Sequence, residues 1–131
     1  MEDRIFMTLM RNKKDMMIEK EFVPYKEALA LKELGFDEKC FGFYSPIHDL
    51  MICNTNGINE EVGECLAPLF QQAFRWFREE HNMDCHIEKD RKNRYWFNTR
   101  LYGSKKTSNF CYHRHEKAEL ACLRKLIEIV K

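Results

Sequence analysis

The segment Leu66–His81, LAPLFQQAFRWFREEH, carries the most regular apolar pattern in this chain of 131 residues. Its apolar residues recur every three or four positions, as on one face of an α-helix; they are Leu66, Leu69, Phe70, Ala73, Phe74 and Phe77. Pro68 suits the first turn of a helix, where the backbone N–H has no helical partner. Because burial of each ring contributes about 2–3 kcal/mol, we predict that the three phenylalanines form the centre of the core and that Trp76 lies at its edge.

Upstream of this segment, residues 24–34 (PYKEALALKEL) predict a second helix. Gly35 follows it directly and can take the left-handed conformation that ends many helices. Phe36 is then placed to fold back on Leu31, as in a Schellman motif. The sequence therefore predicts both the helix and its end.

Two hairpins are predicted around that helix. Residues 40–44 and 50–53 are short apolar runs that flank a polar turn at 45–49, which is typical of two paired strands. Residues 4–10 and 16–18 predict another hairpin within the first twenty residues, across a basic turn.

After the central helix, the pattern predicts a meander of three strands and a last helix. Cys85 and Ile87 alternate with polar neighbours, and residues 94–102 form the strongest strand pattern. A turn at 103–106 and a third strand at 107–112 complete the meander. A broad apolar arc over residues 115–131 predicts the last helix.

These elements predict an α+β fold in a single domain over residues 1–131, with about three helices packed on a mainly antiparallel sheet. With 44% hydrophobic residues, the chain contains enough apolar material for a core. No apolar run approaches the roughly 18 residues of a membrane helix. We therefore expect no membrane association.

Charge is distributed unevenly along the chain. Residues 1–81 contain 10 basic and 15 acidic residues, whereas residues 82–131 contain 12 basic and 6 acidic ones. Residues 89–106, here named the basic-aromatic segment, contain basic residues interleaved with aromatic ones. The candidate partner-binding residues are Lys89, Arg91, Lys92, Arg94, Trp96, Arg100, Tyr102, Lys105 and Lys106.

The basic-aromatic segment has two interpretations. Basic side chains contact phosphates and exposed rings stack on bases, which favours a nucleic-acid surface. Alternatively, the basic turns are solvated and the aromatic rings pack beneath a helix.

The sequence contains none of the common catalytic motifs. A nucleophile elbow, a P-loop, a dinucleotide-binding glycine motif and an HExxH motif are all absent. Cys111, His113 and His115 alternate, but they lack the tight ligand pairs of zinc sites, and a helix start at His115 would turn that residue away. The six cysteines are scattered singly without a secretory signal, as is typical of reduced thiols in the cytoplasm. We therefore favour a non-enzymatic, cytoplasmic protein without cofactor or metal.

Three phrases carry a resemblance to known sequences. They are FVPYKEALALKELGFDEKCFGFY, APLFQQAFRWFREEHNM and EKAELACLRKLIEIVK, in that order along residues 21–131. The chain resembles a group of short uncharacterised proteins encoded by bacteriophages and mobile elements of gut bacteria. The resemblance implies a phage or mobile-element accessory protein and assigns no role to any residue.

The order helix, three strands, helix over residues 66–131 is also that of double-stranded RNA-binding domains. This likeness concerns topology alone, since the lysine pair and the small residues usual in that family's last helix are missing. We expect a non-enzymatic binding module for a host protein. The alternative is a nucleic-acid-binding protein that uses the basic-aromatic segment to bind RNA or DNA.

Overall fold

The computed structural model describes residues 18–53, 63–101 and 103–131. Apart from Ile18, the hairpin predicted for residues 4–18 lies outside these ranges. Within them, three helices and six strands form an α+β structure with two antiparallel sheets. The α+β class is therefore confirmed, with the strands divided between two sheets of three. Contacts divide the chain into an N-terminal unit, 1–69, and a C-terminal unit, 70–131.

The N-terminal unit contains one helix and one small sheet. Its elements are α1 (Tyr25–Glu33), β1 (Gly42–Tyr44), β2 (Leu50–Ile52) and β3 (Cys65–Leu66). The strands are antiparallel in the order β2-β1-β3, so the hairpin predicted from 40–44 and 50–53 is confirmed. Val23, Leu31 and Phe43 are among the buried side chains of this unit.

The end of α1 has the predicted Schellman geometry. Gly35 has a φ of 103°, a left-handed conformation that costs glycine little. The Gly35 N–H donates to the Lys32 carbonyl and the Phe36 N–H to the Leu31 carbonyl, both at 3.0 Å. These two bonds satisfy carbonyls that would otherwise lack a partner at the helix end.

The C-terminal unit contains two helices and the second sheet. Its elements are α2 (Phe70–His81), β4 (Met83–Lys89), β5 (Tyr95–Leu101), β6 (Ser104–Thr107) and α3 (His115–Val130). The sheet has the order β4-β5-β6, and both helices contact it and each other. Met83, Cys85 and Ile87 face the helices, whereas the side chains between them on β4 are exposed. The predicted last helix is confirmed.

The predicted start of the central helix at Leu66 is wrong, since α2 begins at Phe70. Leu66 belongs to β3, and Leu69 forms an isolated antiparallel bridge with Phe22. The Pro68 carbonyl accepts a hydrogen bond of 2.8 Å from the Val23 N–H. Backbone pairing therefore holds these residues extended, although their side chains fit a helical pattern.

The third strand of the meander also differs from the prediction. β6 begins at Ser104, which pairs with Leu101, so the strand begins within the residues predicted as a turn, 103–106. Gly103 has a φ of 82°, which allows a short turn. The far end of the predicted strand is represented only by an isolated bridge between Tyr112 and Tyr95.

The apolar face of α2 is rotated from the one predicted. Phe70 and Phe77 are buried as expected, but Phe74 is half-buried and Trp76 is buried. The Trp76 ring meets the Phe77 ring edge-on, with centroids 5.1 Å apart. None of the helices in the described ranges is both long and apolar enough to cross a membrane.

Replacement of Phe77 with alanine is expected to lower the free energy of unfolding by about 3–5 kcal/mol, because the side chain is fully buried and a cavity would remain. Phe74→Ala is the matched control and should cost clearly less, since that ring is half-buried. Denaturant unfolding of both variants measures the difference. Equal losses of unfolding free energy in the two variants would show that α2 does not bury Phe77 more deeply than Phe74.

Candidate functional site

The turn between β4 and β5 is a short hairpin loop closed by Asp90 and Arg94. The Asp90 N–H donates to the Arg94 carbonyl at 2.8 Å, and the Asn93 N–H donates to the Asp90 carbonyl at 3.2 Å. Asn93 has a φ of 60°, which asparagine tolerates better than most residues. This is a type I turn followed by a left-handed residue, a common hairpin loop. Arg91 and Lys92 are exposed at its tip.

The Asp90 carboxylate organises this turn. One oxygen, Oδ1, accepts hydrogen bonds of 2.9 Å from the backbone N–H groups of Lys92 and Arg94. The other, Oδ2, accepts from Trp96 Nε1 at 2.9 Å and from Arg94 Nε at 2.8 Å. These bonds, that from the Trp96 indole first, hold the pKa of Asp90 well below its usual range.

The same contacts limit what the aromatic residues of the segment can bind. Trp96 is half-buried, its N–H is bonded to Asp90, and the Arg94 guanidinium lies 5.7 Å from its ring centroid. The Lys89 ammonium lies 5.7 Å from the ring centroid of Tyr95. Both rings are half-buried and carry intramolecular cation contacts, but Trp96 pairs with Glu88 on the sheet face away from the helices and so does not pack beneath a helix.

The start of α3 lies beside this turn. Tyr95 and Tyr112 exchange two backbone hydrogen bonds of 2.8 Å. The rings of Tyr95 and His115 meet edge-on, with centroids 5.6 Å apart. Tyr95 follows Arg94 directly and His115 begins α3, so the pairing brings two basic segments, distant in sequence, to one end of the unit.

We name this region the cationic end, and its basic residues are Lys89, Arg91, Lys92, Arg114 and Lys117. All five side chains are exposed. The N-terminus of α3 adds a partial positive charge at the same place. Of the neighbouring acids, Glu88 and Glu116 are exposed, whereas Asp90 is bonded to Arg94 and Trp96. The sequence indicates Arg114 and Lys117 near the start of the last helix, a faint likeness to double-stranded RNA-binding domains, but does not connect them to the turn; the pairing of Tyr95 with Tyr112 makes that connection.

The other predicted site residues lie elsewhere. Arg100 and Lys105 are cross-strand partners near the opposite end of β5, whose length is about 20 Å. Lys106 pairs with Thr99 on the helix-facing side of the sheet. Tyr102 lies outside the described residues. The nine predicted residues therefore do not form one surface.

The sheet face opposite the helices carries a polar network around Asn98, whose side chain is 2% exposed. Its Oδ1 accepts from Thr107 Oγ1 at 2.7 Å, and its Nδ2 lies 3.3 Å from His86 Nε2. His86 in turn lies 2.9 Å from Glu88 Oε1, and this bond is the main cause of a lowered pKa at Glu88. The network satisfies a buried amide that would otherwise destabilise the sheet.

Cys122 and His115 are held in structural contacts. The Cys122 thiol is buried on α3, and its hydrogen bond with Cys85 and its burial raise its pKa. His115 begins α3, as predicted, and its Nδ1 lies 3.4 Å from Glu119 Oε1. Within the parts of the chain that the structure describes, no three side chains of the metal-binding types converge on a common point. The absence of a metal remains a prediction.

Comparison with protein-family models, curated proteins and solved structures found no match to this chain. The chemistry of the site therefore rests on its own geometry. That geometry presents a concentration of exposed positive charge with its neighbouring rings already engaged, which suits an extended anionic partner.

Replacement of Asp90 with asparagine should lower the melting temperature at pH 7, because an amide cannot accept at both of its ends. The pKa of Asp90 is lowered in the folded state, so its stabilisation is full above the ordinary aspartate pKa of about 3.9 and is lost as the pH falls further. Thermal unfolding of both proteins from pH 7 to pH 2.5 should show that the difference between their melting temperatures shrinks below about pH 4. Glu88 titrates in both proteins and cancels from the difference. A constant gap would contradict the role given to Asp90.

The Cys122 thiol should resist alkylation in the native protein, because burial and a raised pKa both disfavour the reactive thiolate. Cys111, which is half-buried, is the internal control and should react first. Mass spectrometry after brief iodoacetamide treatment at pH 7.5 measures both rates. Faster labelling of Cys122 than of Cys111 would contradict this assignment.

Proposed function

We propose that this chain is a non-enzymatic accessory protein of a bacteriophage or mobile element that binds nucleic acid through the cationic end. The observation that carries this proposal is the backbone pairing of Tyr95 with Tyr112, which places the tip of the β4–β5 turn beside the start of α3. Neither basic segment is large by itself. Together they offer five exposed basic side chains to a polyanion.

Positive charge at this end is available to a partner. Arg91 and Lys92 are exposed at the tip of the turn, and Arg114 and Lys117 are exposed at the start of α3. Asp90 forms an ion pair with Arg94, which is not one of the five exposed cations. Each cation that meets a phosphate releases counterions, and this release supplies most of the affinity of non-specific nucleic-acid binding.

The chemistry favours contact with a phosphate backbone over stacking on bases. Single-strand binders present aromatic rings on which bases stack. At the cationic end, the Trp96 ring has Arg94 over it and the Tyr95 ring has Lys89 and His115 against it. A duplex presents its phosphates outward and needs no stacking surface, so a double-stranded partner fits best.

The topology of the C-terminal unit supports a duplex RNA partner. Its order of elements, α2, β4, β5, β6 and α3, is the order of double-stranded RNA-binding domains. Those domains recognise the shape of the RNA duplex through phosphate and 2′-hydroxyl contacts. This support is an analogy of fold, and the charge of the cationic end carries the chemical argument.

A host protein is the second candidate partner, and one observation favours it. Phe41 and Ile47 of the N-terminal unit are 69% and 79% exposed, so their apolar side chains are open to a protein partner. A protein partner would bury such anchors and would respond weakly to salt.

The test is a titration of labelled 20-base-pair RNA, the matching DNA duplex and single-stranded RNA, followed by fluorescence anisotropy. We expect Kd values of about 1–100 μM for the RNA duplex at 50 mM salt, weakening at least tenfold at 200 mM. Combined Arg91→Glu and Arg114→Glu should abolish binding. Combined Arg100→Glu and Lys105→Glu is the control, because it changes the net charge equally at the other end of β5.

Two results would contradict this proposal. One is the absence of duplex binding tighter than about 100 μM at low salt. The other is equal weakening by both double variants, which would show that net charge acts without a defined site. In either case, Phe41→Ala and Ile47→Ala would be tested next for loss of a protein partner.

A further inference from the structure

A groove lies between α3 and the chain that follows β6. Its cavity volume is about 170 Å³, close to the roughly 150 Å³ cavity that holds one benzene ring in another protein. All of its lining residues belong to the C-terminal unit. The groove therefore has room for a single aromatic ring.

Aromatic side chains form one part of the groove. Phe97 and Tyr112 lie nearly parallel, with ring centroids 6.3 Å apart and an angle of 29° between their planes. Phe110 also lines the groove and is 72% exposed, so its ring is open to a ligand. Exposed aromatic rings stack on every kind of nucleobase.

The loop that carries Phe110 is fixed in place. The Ser108 N–H donates to the Phe97 carbonyl at 2.8 Å, and the Ser108 hydroxyl accepts from the Phe97 N–H at 3.2 Å. The same hydroxyl donates to the Phe110 carbonyl at 2.9 Å. A ligand that stacks on Phe110 therefore meets a preformed wall, which lowers the entropic cost of binding.

The charge of the groove has one sign. Lys106 and Lys125 line it, and none of its nine lining residues, all within the described ranges, is Asp or Glu. Asn109 and Thr99 add polar groups to the lining. This combination matches a ligand that carries both an aromatic ring and a negative charge.

We propose that this groove binds one unpaired nucleotide, with its base against Phe110 and its phosphate beside Lys106 and Lys125. The nucleotide is either a free nucleoside monophosphate or an unpaired residue of a single-stranded RNA. The inference goes beyond the proposed function and does not depend on it, because none of these residues belongs to the cationic end.

The test is a titration of isotope-labelled full-length protein with adenosine and uridine monophosphates, adenosine and inorganic phosphate, followed by amide NMR shifts. We expect a Kd on the order of 1 mM or tighter for the monophosphates. Amides of residues 106–110 should shift, and adenosine and phosphate should each bind at least fivefold more weakly. A five-nucleotide single-stranded RNA identifies the source, since tighter binding than the monophosphate indicates a polymer and equal binding a free nucleotide.

Variants assign the contacts. Phe110→Ala and Lys125→Glu should each weaken monophosphate binding about tenfold, the size expected from loss of one stacked ring or one charge contact. Phe41→Ala and Lys131→Glu are the matched controls, because they remove an exposed ring and reverse an exposed charge outside the groove. Arg91→Glu with Arg114→Glu should leave monophosphate binding intact, which separates this site from the cationic end.

Three results would overturn the proposal. One is the absence of shifts at residues 106–110 with 5 mM monophosphate, well above the expected Kd of order 1 mM. Another is equal binding of inorganic phosphate and monophosphate, which would leave an anion site without a base. The third is a set of shifts that follow protein concentration and not ligand, which would identify a second copy of the chain as the occupant.

Discussion

Two backbone pairings to the same strand determine the arrangement of the C-terminal unit. Ser108 bonds to Phe97, and Tyr112 bonds to Tyr95. Phe97 and Tyr95 are two residues apart on β5, whereas their partners Ser108 and Tyr112 are four residues apart. The segment between Ser108 and Tyr112 is therefore two residues longer than the stretch of β5 that it pairs with. The chain between them therefore leaves the sheet edge. As a result, Phe110 is exposed and the segment forms one wall of the groove. The start of α3 then lies beside the β4–β5 turn.

Backbone hydrogen bonds of this kind also separate the predictions from the sequence that are confirmed from those that are wrong. Helices such as α1 and α3 and the paired strands β1, β2, β4 and β5 follow from side-chain periodicity, and Gly35 marks the end of α1 by its conformation. The start of α2 and the bounds of β6 depend on backbone hydrogen bonds made by Pro68 and on a turn at Gly103. Such bonds have no side-chain signature, since every residue except proline carries the same donor and acceptor.

The candidate site shows the same division. The basic character of residues 89–106 is evident from the sequence, yet Arg94 is bonded to Asp90 and Trp96 is half-buried. A count of basic residues therefore overestimates the charge available to a partner. Conversely, the sequence alone does not place Lys125 in the groove or Arg114 beside the β4–β5 turn, because contacts between residues distant in sequence do so. The alternation of Cys111, His113 and His115 has no common face, because α3 begins within it.

The edge strand β6 has a consequence for how the protein behaves at high concentration. It is four residues long, all four are exposed, and two of them are lysines. An exposed strand edge next to an exposed side chain such as Phe110 is a surface on which strands of other molecules can pair. Lysine side chains at such an edge oppose this pairing by charge repulsion and hydration. Lys106 lines the groove proposed for a nucleotide and also adds positive charge to this strand edge. Acetylation of this lysine would remove its charge from both places.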